Sequence, residues 1–172
     1  AYEDLRDPLG IRFWPGVKGR DGCRTPMAWE HGADNGGFTT GRPWLPVPAS
    51  HRARAVDVQN GEKGSVLAAY RAMLALRRRH SALVGGSIRF LDAEGDVLAF
   101  VREGEGERLV CVFNFADEQA VWPLPPALGP VEVIDLGAGA VIAEDVLSLP
   151  PLGFFLGRTN LAASPSMSSE AR

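Results

Sequence analysis

Residues 1–61 constrain the fold of this chain most, because they show no sustained helical or strand periodicity. Glycine and proline interrupt them throughout, and they carry three of the four tryptophans, Trp14, Trp29 and Trp44. So long a stretch without regular structure is uncommon in an independent domain and is typical of functional loops on a larger scaffold. The pattern predicts loops that pack against further polypeptide outside residues 1–61.

One amphipathic helix is predicted over residues 62–80. Ser65 is predicted to cap its N-terminus, and Arg77, Arg78 and Arg79 favour its C-terminal end because they oppose the helix dipole. The helical stripe consists of Val66, Leu67, Tyr70, Met73, Leu74, Leu76 and His80. The preceding loops provide no obvious partner for this stripe.

Residues 82–157 predict a series of short strands. Apolar residues alternate at Ile88 and Phe90, at Leu98 and Phe100, at Leu109, Cys111, Phe113 and Phe115, and at Val131 and Val133. Glycine-rich turns and the proline-rich run PLPPALGP separate these segments. Strands at such spacing favour an antiparallel β-sandwich. Residues 158–172 have little to bury and are predicted to form a disordered tail.

Charge and hydropathy limit the kinds of partner. A net charge of −3 and a pI near 5.6 argue against nucleic acid, which needs a clustered basic face. No apolar stretch approaches the ~18 residues of a membrane span, and no basic-then-apolar leader opens the sequence. We therefore expect a cytoplasmic protein with no nucleic-acid and no membrane partner. Since the sequence begins with Ala1 inside a loop-like segment, we also expect it to be a truncated record.

Cysteine and histidine usage favours neither disulfides nor metal. Cys23 and Cys111 lie far apart in the sequence, and a cytoplasmic protein keeps its thiols reduced. Cys111 falls in the strand-like run RLVCVFNF and is predicted to be a buried free thiol. The three histidines are scattered, so neither a structural zinc site nor any other metal or cofactor is predicted.

The run GRDGCRTPMAWE at 19–30 holds the most distinctive chemistry. Arg20 and Arg24 flank Asp21, and Trp29 follows. Guanidinium groups suit planar recognition of carboxylates or sugar hydroxyls, and tryptophan faces suit the C–H faces of pyranose rings. A structural ion pair with packed aromatics explains the same residues, and chemistry alone favours that interpretation.

GRDGCRTPMAWE and the following GFTTGRPWLPV at 37–47 resemble the stretch after the last catalytic aspartate in α-glucosidases of glycoside hydrolase family 13. The resemblance continues through YRAMLALRRRHSAL at 70–83 and through VLAFVRE and RLVCVFNF, in the expected order. Two departures stand out. Glu30 replaces the aspartate that ends the motif in many relatives, and PASHRARAVDVQ lacks an asparagine that many of them carry.

The resemblance implies a fold and an activity. Residues 1–81 would be the end of a (β/α)₈ barrel, namely the loops after strand eight and the last helix, 82–157 a C-terminal β-sandwich, and 158–172 a tail. The parent would be a retaining α-glucosidase acting on α-glucoside oligosaccharides or disaccharides through an aspartate nucleophile and a glutamic acid. The motifs for these carboxylates precede this segment in the family. No residue here is therefore nominated as catalytic, and the segment alone is predicted to be inactive.

One binding residue carries over from the family. The arginine of the RTPM run contacts the 4-hydroxyl of the terminal glucose in relatives, which predicts Arg24 as a substrate-binding residue. Arg20 and Asp21 are predicted to brace the loop. Trp29 and Trp44 are predicted to pack rather than to stack on sugar.

Two other hypotheses compete with the enzyme fragment. A non-catalytic carbohydrate-binding or structural β-sandwich module would bind sugar without turnover. An independent small hydrolase would need a pair of carboxylates that no motif here provides. The choice of α-1,4 or α-1,6 linkage, and of hydrolysis, transglycosylation or isomerisation, lies mainly in loops outside this segment.

Overall fold

The computed structural model describes residues 1–134 and 139–160. The chain divides into two units, Ala1–Leu74 and Ala75–Arg172. The boundary between them falls within the longest helix, whereas the sequence predicts it at 81/82. Each unit is described by itself below.

The first unit contains short helices joined by loops. The α-helices are α1 (Pro8–Phe13), α2 (Ala49–Arg52), α3 (Val56–Gly61) and the beginning of α4 (Val66–Arg79), and the 3-10 turns are Tyr2–Asp4, Asp21–Cys23 and Asp34–Gly37. The prediction that residues 1–61 are irregular throughout is therefore wrong. Helices of four to six residues are too short to show a 3.6-residue period, so hydrophobic patterning could not find them.

Helix α4 begins four residues later than predicted, at Val66, because Gly64 has a φ of +84° that no helix accepts. The predicted N-terminal cap is confirmed, since Ser65 Oγ accepts a hydrogen bond from Ala68 N at 3.2 Å. Much of the apolar stripe is open. Val66 is 76% exposed and Tyr70 67% exposed. Within the described residues this part of the stripe has no covering partner.

The described part of the second unit continues from the end of α4 into α5 (Ser81–Gly85) and eight strands. The strands are β1 (Ser87–Leu91), β2 (Val97–Gly104), β3 (Glu107–Asn114), β4 (Ala120–Pro123), β5 (Val131–Val133), β6 (Val141–Ala143), β7 (Val146–Leu149) and β8 (Phe154–Thr159). Every pairing is antiparallel. One sheet has the order β1-β2-β3-β8-β5 and the other β4-β7-β6.

The two sheets share one hydrophobic cluster, which confirms the predicted antiparallel sandwich. Its buried residues come from both sheets and from the 3-10 turn Pro126–Leu128, and are Ala99, Val101, Val110, Val112, Trp122, Leu128, Leu147, Leu149 and Phe155. The other face of β3 and β8 packs in a second cluster with Leu76 at the end of α4 and with Ala82 of α5. Cys111 lies in this second cluster as a free thiol, and burial raises its pKa to about 12.

The end of the last described strand differs from the sequence prediction. Arg158 and Thr159, which the prediction assigns to the tail, belong to β8, and Thr159 is buried and aligned with Arg108 of β3. Residues 161–172, where the rest of the predicted tail falls, lie outside the described residues. Among the described helices, none has both the length and the apolar character to cross a bilayer.

A buried pair joins the helical segment of the second unit to its first sheet. His80, just before α5, donates from Nδ1 to Glu107 Oε1 of β3 at 2.6 Å, and both side chains are largely buried. Burial by itself raises the pKa of Glu107. The hydrogen bond from His80 and the charges of His80 and Arg158 outweigh burial, so the pKa lies below its usual range.

This pair predicts a pH-dependent stability. Because the folded pKa of Glu107 is lowered, its contribution is present above the unfolded glutamate pKa of about 4.3 and is lost as the pH falls through the folded value. Glu107→Gln should lower the free energy of unfolding near neutral pH by about 1–3 kcal/mol. It should also flatten the decline in stability below pH ~5. Urea unfolding followed by circular dichroism at several pH values measures both effects.

Glu118→Gln is the matched control, because Glu118 is exposed and the change there should leave the wild-type curve intact. A Glu107→Gln protein that kept both the wild-type stability and the wild-type acid slope would contradict this role of the pair.

Candidate functional site

Arg24 lies directly after the 3-10 turn Asp21–Cys23 in the first unit. Its backbone N–H donates to the carbonyl of Asp21 at 3.0 Å, which closes the turn. Its side chain is exposed, and among the described residues it makes neither a hydrogen bond nor an ion pair. The sequence-predicted binding residue therefore presents a free guanidinium on a short turn within that part of the chain.

Two buried carboxylates hold this turn against the start of α1, and each caps the backbone of the other's segment. Asp7 Oδ2 accepts the backbone N–H of Arg20 at 2.7 Å. In return, Asp21 Oδ2 accepts the backbone N–H groups of Arg6 at 2.7 Å and of Asp7 at 3.0 Å. We call these contacts of Asp7 and Asp21 the reciprocal brace.

The side chain of Arg20 strengthens the brace. Its Nε donates to Asp7 Oδ2 at 2.9 Å and its Nη2 to Asp7 Oδ1 at 3.3 Å. The hydrogen bond from this guanidinium is the main reason why the pKa of Asp7 lies far below its usual range, and the same contact raises the pKa of Arg20. Asp7 has no exposed surface, and burial alone would raise its pKa, but the contacts with Arg20 outweigh burial and keep the carboxylate ionised.

Two glycines allow the segments to approach this closely. A Cβ on Gly10 would lie 2.6 Å from the carbonyl oxygen of Lys18. A Cβ on Gly19 would lie 2.9 Å from both Asp7 Oδ2 and Gly10 N. Gly19 also has a φ of +68°, which residues with a side chain rarely adopt.

These contacts confirm the predicted loop-bracing role of Arg20 and Asp21. Sequence reasoning missed Asp7, although a signal was present. Asp7 precedes Pro8 at the start of α1 and accepts a hydrogen bond from Leu9 N at 3.2 Å, a common arrangement at helix N-termini. Asp21 Oδ1 is buried and has no hydrogen-bond partner among the described residues.

The second half of the motif is fixed by backbone contacts with α3. The carbonyls of Ala28 and Trp29 accept the N–H groups of Val56 at 3.1 Å and Asp57 at 3.0 Å. The Asp57 carboxylate in turn accepts the N–H of His31, at 3.1 and 3.0 Å from its two oxygens. Both ends of GRDGCRTPMAWE are thereby tied to other parts of the first unit.

The two tryptophans are each about half exposed among the described residues. Trp29 is 48% exposed and Trp44 52% exposed, so the prediction that they pack rather than stack on sugar stays a prediction. Trp44 lines an open depression of about 520 Å³ together with charged side chains that include Arg6, Arg42, Arg52, Asp4 and Asp34. Arg24 does not line this depression.

Two protein-family models match adjacent parts of the chain. Residues 3–86 match the one described as alpha amylase, catalytic domain, and residues 88–156 match the one described as maltogenic amylase, C-terminal domain. The chain belongs to the α-amylase family, glycoside hydrolase family 13. The expected family is thus confirmed, and the two matches follow the order that the sequence predicts.

Curated relatives with this similarity include glucosidases. The probable α-glucosidase of Rhizobium meliloti (strain 1021) is 48% identical over 160 residues, which cover 91% of this chain and 28% of that protein. The probable oligo-1,6-glucosidase 2 of Bacillus subtilis (strain 168) is 37% identical over 130 residues, which cover 75% of this chain and 23% of that protein. The chain therefore spans less than a third of the length of these family members.

Solved structures of family 13 proteins match with similar coverage. The α-glucosyl transfer enzyme XgtA is 45% identical with a TM-score of 0.82, covering 93% of this chain and 30% of that one. The trehalulose synthase MutB from Pseudomonas mesoacidophila MX-45 is 28% identical with a TM-score of 0.75, covering 93% of this chain and 32% of that one.

The described residues of this family 13 chain contain no cluster of three or more histidine, cysteine, aspartate or glutamate residues that could hold a metal ion. Both cysteines are free, Cys23 at the surface and Cys111 in the core. The candidate site consists of Arg24 and the contacts that fix its turn.

Because the segments approach closely at the reciprocal brace, alanine substitutions at two glycines of one loop should differ strongly in their effect on stability. Gly19→Ala should destabilise the first unit by about 1–3 kcal/mol, because it combines a positive φ with contacts shorter than van der Waals distance. Gly22→Ala is the matched control, since a Cβ there meets nothing within 4 Å. The control should change stability by no more than about 0.5 kcal/mol.

Thermal unfolding followed by tryptophan fluorescence compares the two variants, because Trp14, Trp29 and Trp44 all lie in the first unit. Equal midpoints for Gly19→Ala and Gly22→Ala would show that the close approach at the brace does not exist in solution.

Proposed function

We propose that this chain is the C-terminal part of a retaining α-glucosidase that releases terminal α-linked glucose from oligosaccharides or disaccharides. Residues 1–81 supply the loops after strand eight and the last helix of a (β/α)₈ barrel, and residues 82–157 supply the sandwich domain. The names of the relatives, a probable α-glucosidase and oligo-1,6-glucosidases, support this class of substrate.

The exposed side of α4 supports a barrel as the missing partner. Val66 and Tyr70 expose most of their surface, and Met73 and Leu74 are also exposed. Each Å² of apolar surface removed from water contributes about 25 cal/mol, so a stripe of this kind is normally covered. The last helix of a barrel is covered by the neighbouring strands and helices.

Arg24 is the residue of this chain that we propose to bind the substrate. Its guanidinium is exposed and unpaired among the described residues, while the reciprocal brace fixes the turn that precedes it. A fixed, charged donor of this kind suits a hydroxyl of the terminal glucose, and we assign to it the 4-hydroxyl in the subsite where the bond breaks. Only a sugar unit with a free 4-hydroxyl satisfies this contact, which in an α-1,4-linked chain is the unit at the non-reducing end.

The bond-breaking groups belong to the rest of the parent enzyme. A retaining glycosidase uses two carboxyl groups about 5–5.5 Å apart, one as nucleophile and one as acid and base. The segment supplies a binding residue, a helix and the sandwich, and by itself is inactive. Both cysteines are free, which supports a cytoplasmic location for the parent.

A purely carbohydrate-binding module is less well supported. Such a module requires the sandwich to be the functional unit with the first unit as an appendage. The match to the alpha amylase catalytic domain instead spans residues 3–86.

Substitution of Arg24 tests the assignment. In the full-length parent, Arg24→Ala should lower kcat/KM on maltose by roughly 10–100-fold, since a lost charged hydrogen bond costs about 1.5–3 kcal/mol. Arg89→Ala is the control, because Arg89 is exposed on β1 in the second unit. An Arg24→Ala enzyme with the kcat/KM of the Arg89→Ala control would sink the assignment of Arg24.

A further inference from the structure

We propose that Asp7 is a positioning residue for Arg24, acting through Arg20 and the turn Asp21–Cys23. The inference rests on the proposed role of Arg24 as the contact to the terminal glucose. Asp7 does not itself touch substrate. It fixes the backbone position from which the Arg24 side chain reaches the terminal glucose.

A short chain of hydrogen bonds links the two residues. The carboxylate of Asp7 holds both the backbone and the guanidinium of Arg20. The carbonyl of Arg20 then accepts the N–H of Cys23 at 3.1 Å and its thiol at 3.0 Å. Arg24 follows directly in the chain, so a displacement of Arg20 moves the base of the Arg24 side chain.

Asp7 engages the same turn a second time. Its backbone N–H donates to Asp21 Oδ2 at 3.0 Å, and the carbonyl of Asp21 accepts the N–H of Arg24 at 3.0 Å. The turn is therefore fixed at two successive residues, Arg20 and Asp21, by one residue outside it. Movement of the α1 start relative to the turn would disturb both contacts together.

Arg24 needs this support because its exposed side chain makes neither a hydrogen bond nor an ion pair with the described residues. Its position depends on the backbone of the turn. A displacement of about 1 Å at a substrate contact can lower the rate by as much as 100-fold, even when the substituted residue lies away from the chemistry. Loss of the Asp7 charge should thus weaken the contact between Arg24 and the 4-hydroxyl of the terminal glucose, although Arg24 itself is still present.

A double-mutant cycle in the full-length parent tests the proposal. Asp7→Asn, Arg24→Ala and the double variant are compared with the wild type by kcat/KM on maltose. Asp7→Asn alone should lower kcat/KM by about 3–30-fold, and by less than about 2-fold once Arg24 is already alanine. Asp117→Asn, at an exposed position of the second unit, is the matched control and should have no effect in either background.

A second readout separates positioning from general loss of structure. On a 4-nitrophenyl α-glucoside that lacks the 4-hydroxyl, wild type and Asp7→Asn should have equal kcat/KM, because the contact that Asp7 supports is absent. A merely structural defect would lower the rate on both substrates. Arg20→Gln breaks the same ion pair by changing its solvent-exposed member. If Asp7→Asn fails to fold, Arg20→Gln takes its place in the double-mutant cycle and should give the same fold-changes in kcat/KM.

The outcomes separate the proposed role of Arg24 from the proposed positioning role of Asp7. If Arg24→Ala itself leaves kcat/KM unchanged, the proposed function of Arg24 fails and the positioning role fails with it. If Arg24→Ala is impaired but Asp7→Asn and Arg20→Gln are not, only the positioning role is overturned. The positioning role is also overturned if the Asp7→Asn loss stays as large in the Arg24→Ala background, or persists on the deoxy substrate.

Discussion

The ion pair between buried Asp7 and Arg20 is the interaction on which the first unit depends. Its two partners lie thirteen residues apart, and a buried carboxylate without its cation would be strongly destabilising. Because Arg20 keeps one side exposed, it neutralises Asp7 while only part of its own hydration is lost. Asp21 adds the reverse contact to the backbone of residues 6 and 7. Together, Asp7, Arg20 and Asp21 hold the glycine-rich loop in one conformation, and Arg24 follows directly after it.

The two units differ in how completely they bury their own apolar surface. The second unit closes a cluster between two sheets and a further one around Leu109, which is fully buried. The first unit exposes about half of Trp29, Trp44 and Phe13 and most of Tyr70. The two sheets of the second unit can close a core between themselves, whereas the first unit, proposed above to be barrel loops and a barrel helix, needs further polypeptide to cover its apolar side chains. Exposed apolar surface of this extent favours aggregation of the isolated chain.

Local patterns of the sequence were sufficient for part of this structure. The stripe of α4, its cap at Ser65 and the alternation in the longer strands depend on near neighbours, so they could be predicted. Strands β4, β6 and β7 have only three or four residues and were missed, whereas β5, which is equally short, was found from the alternation of Val131 and Val133. The Asp7–Arg20 pair is a tertiary contact that no local pattern encodes. The exposure of Trp29 and Trp44 depends on polypeptide that would cover them, which a local pattern does not include.

The gene sequence immediately upstream of the Ala1 codon shows whether this chain is the C-terminal part of a retaining α-glucosidase. If it is, the reading frame extends upstream by several hundred codons that encode the family's aspartate and glutamate motifs, and thus the carboxylates that Arg24 would serve. An in-frame stop followed by a local start codon would contradict this proposal. The loops of the first unit would then have no barrel, and the 172-residue chain could not be part of a retaining α-glucosidase.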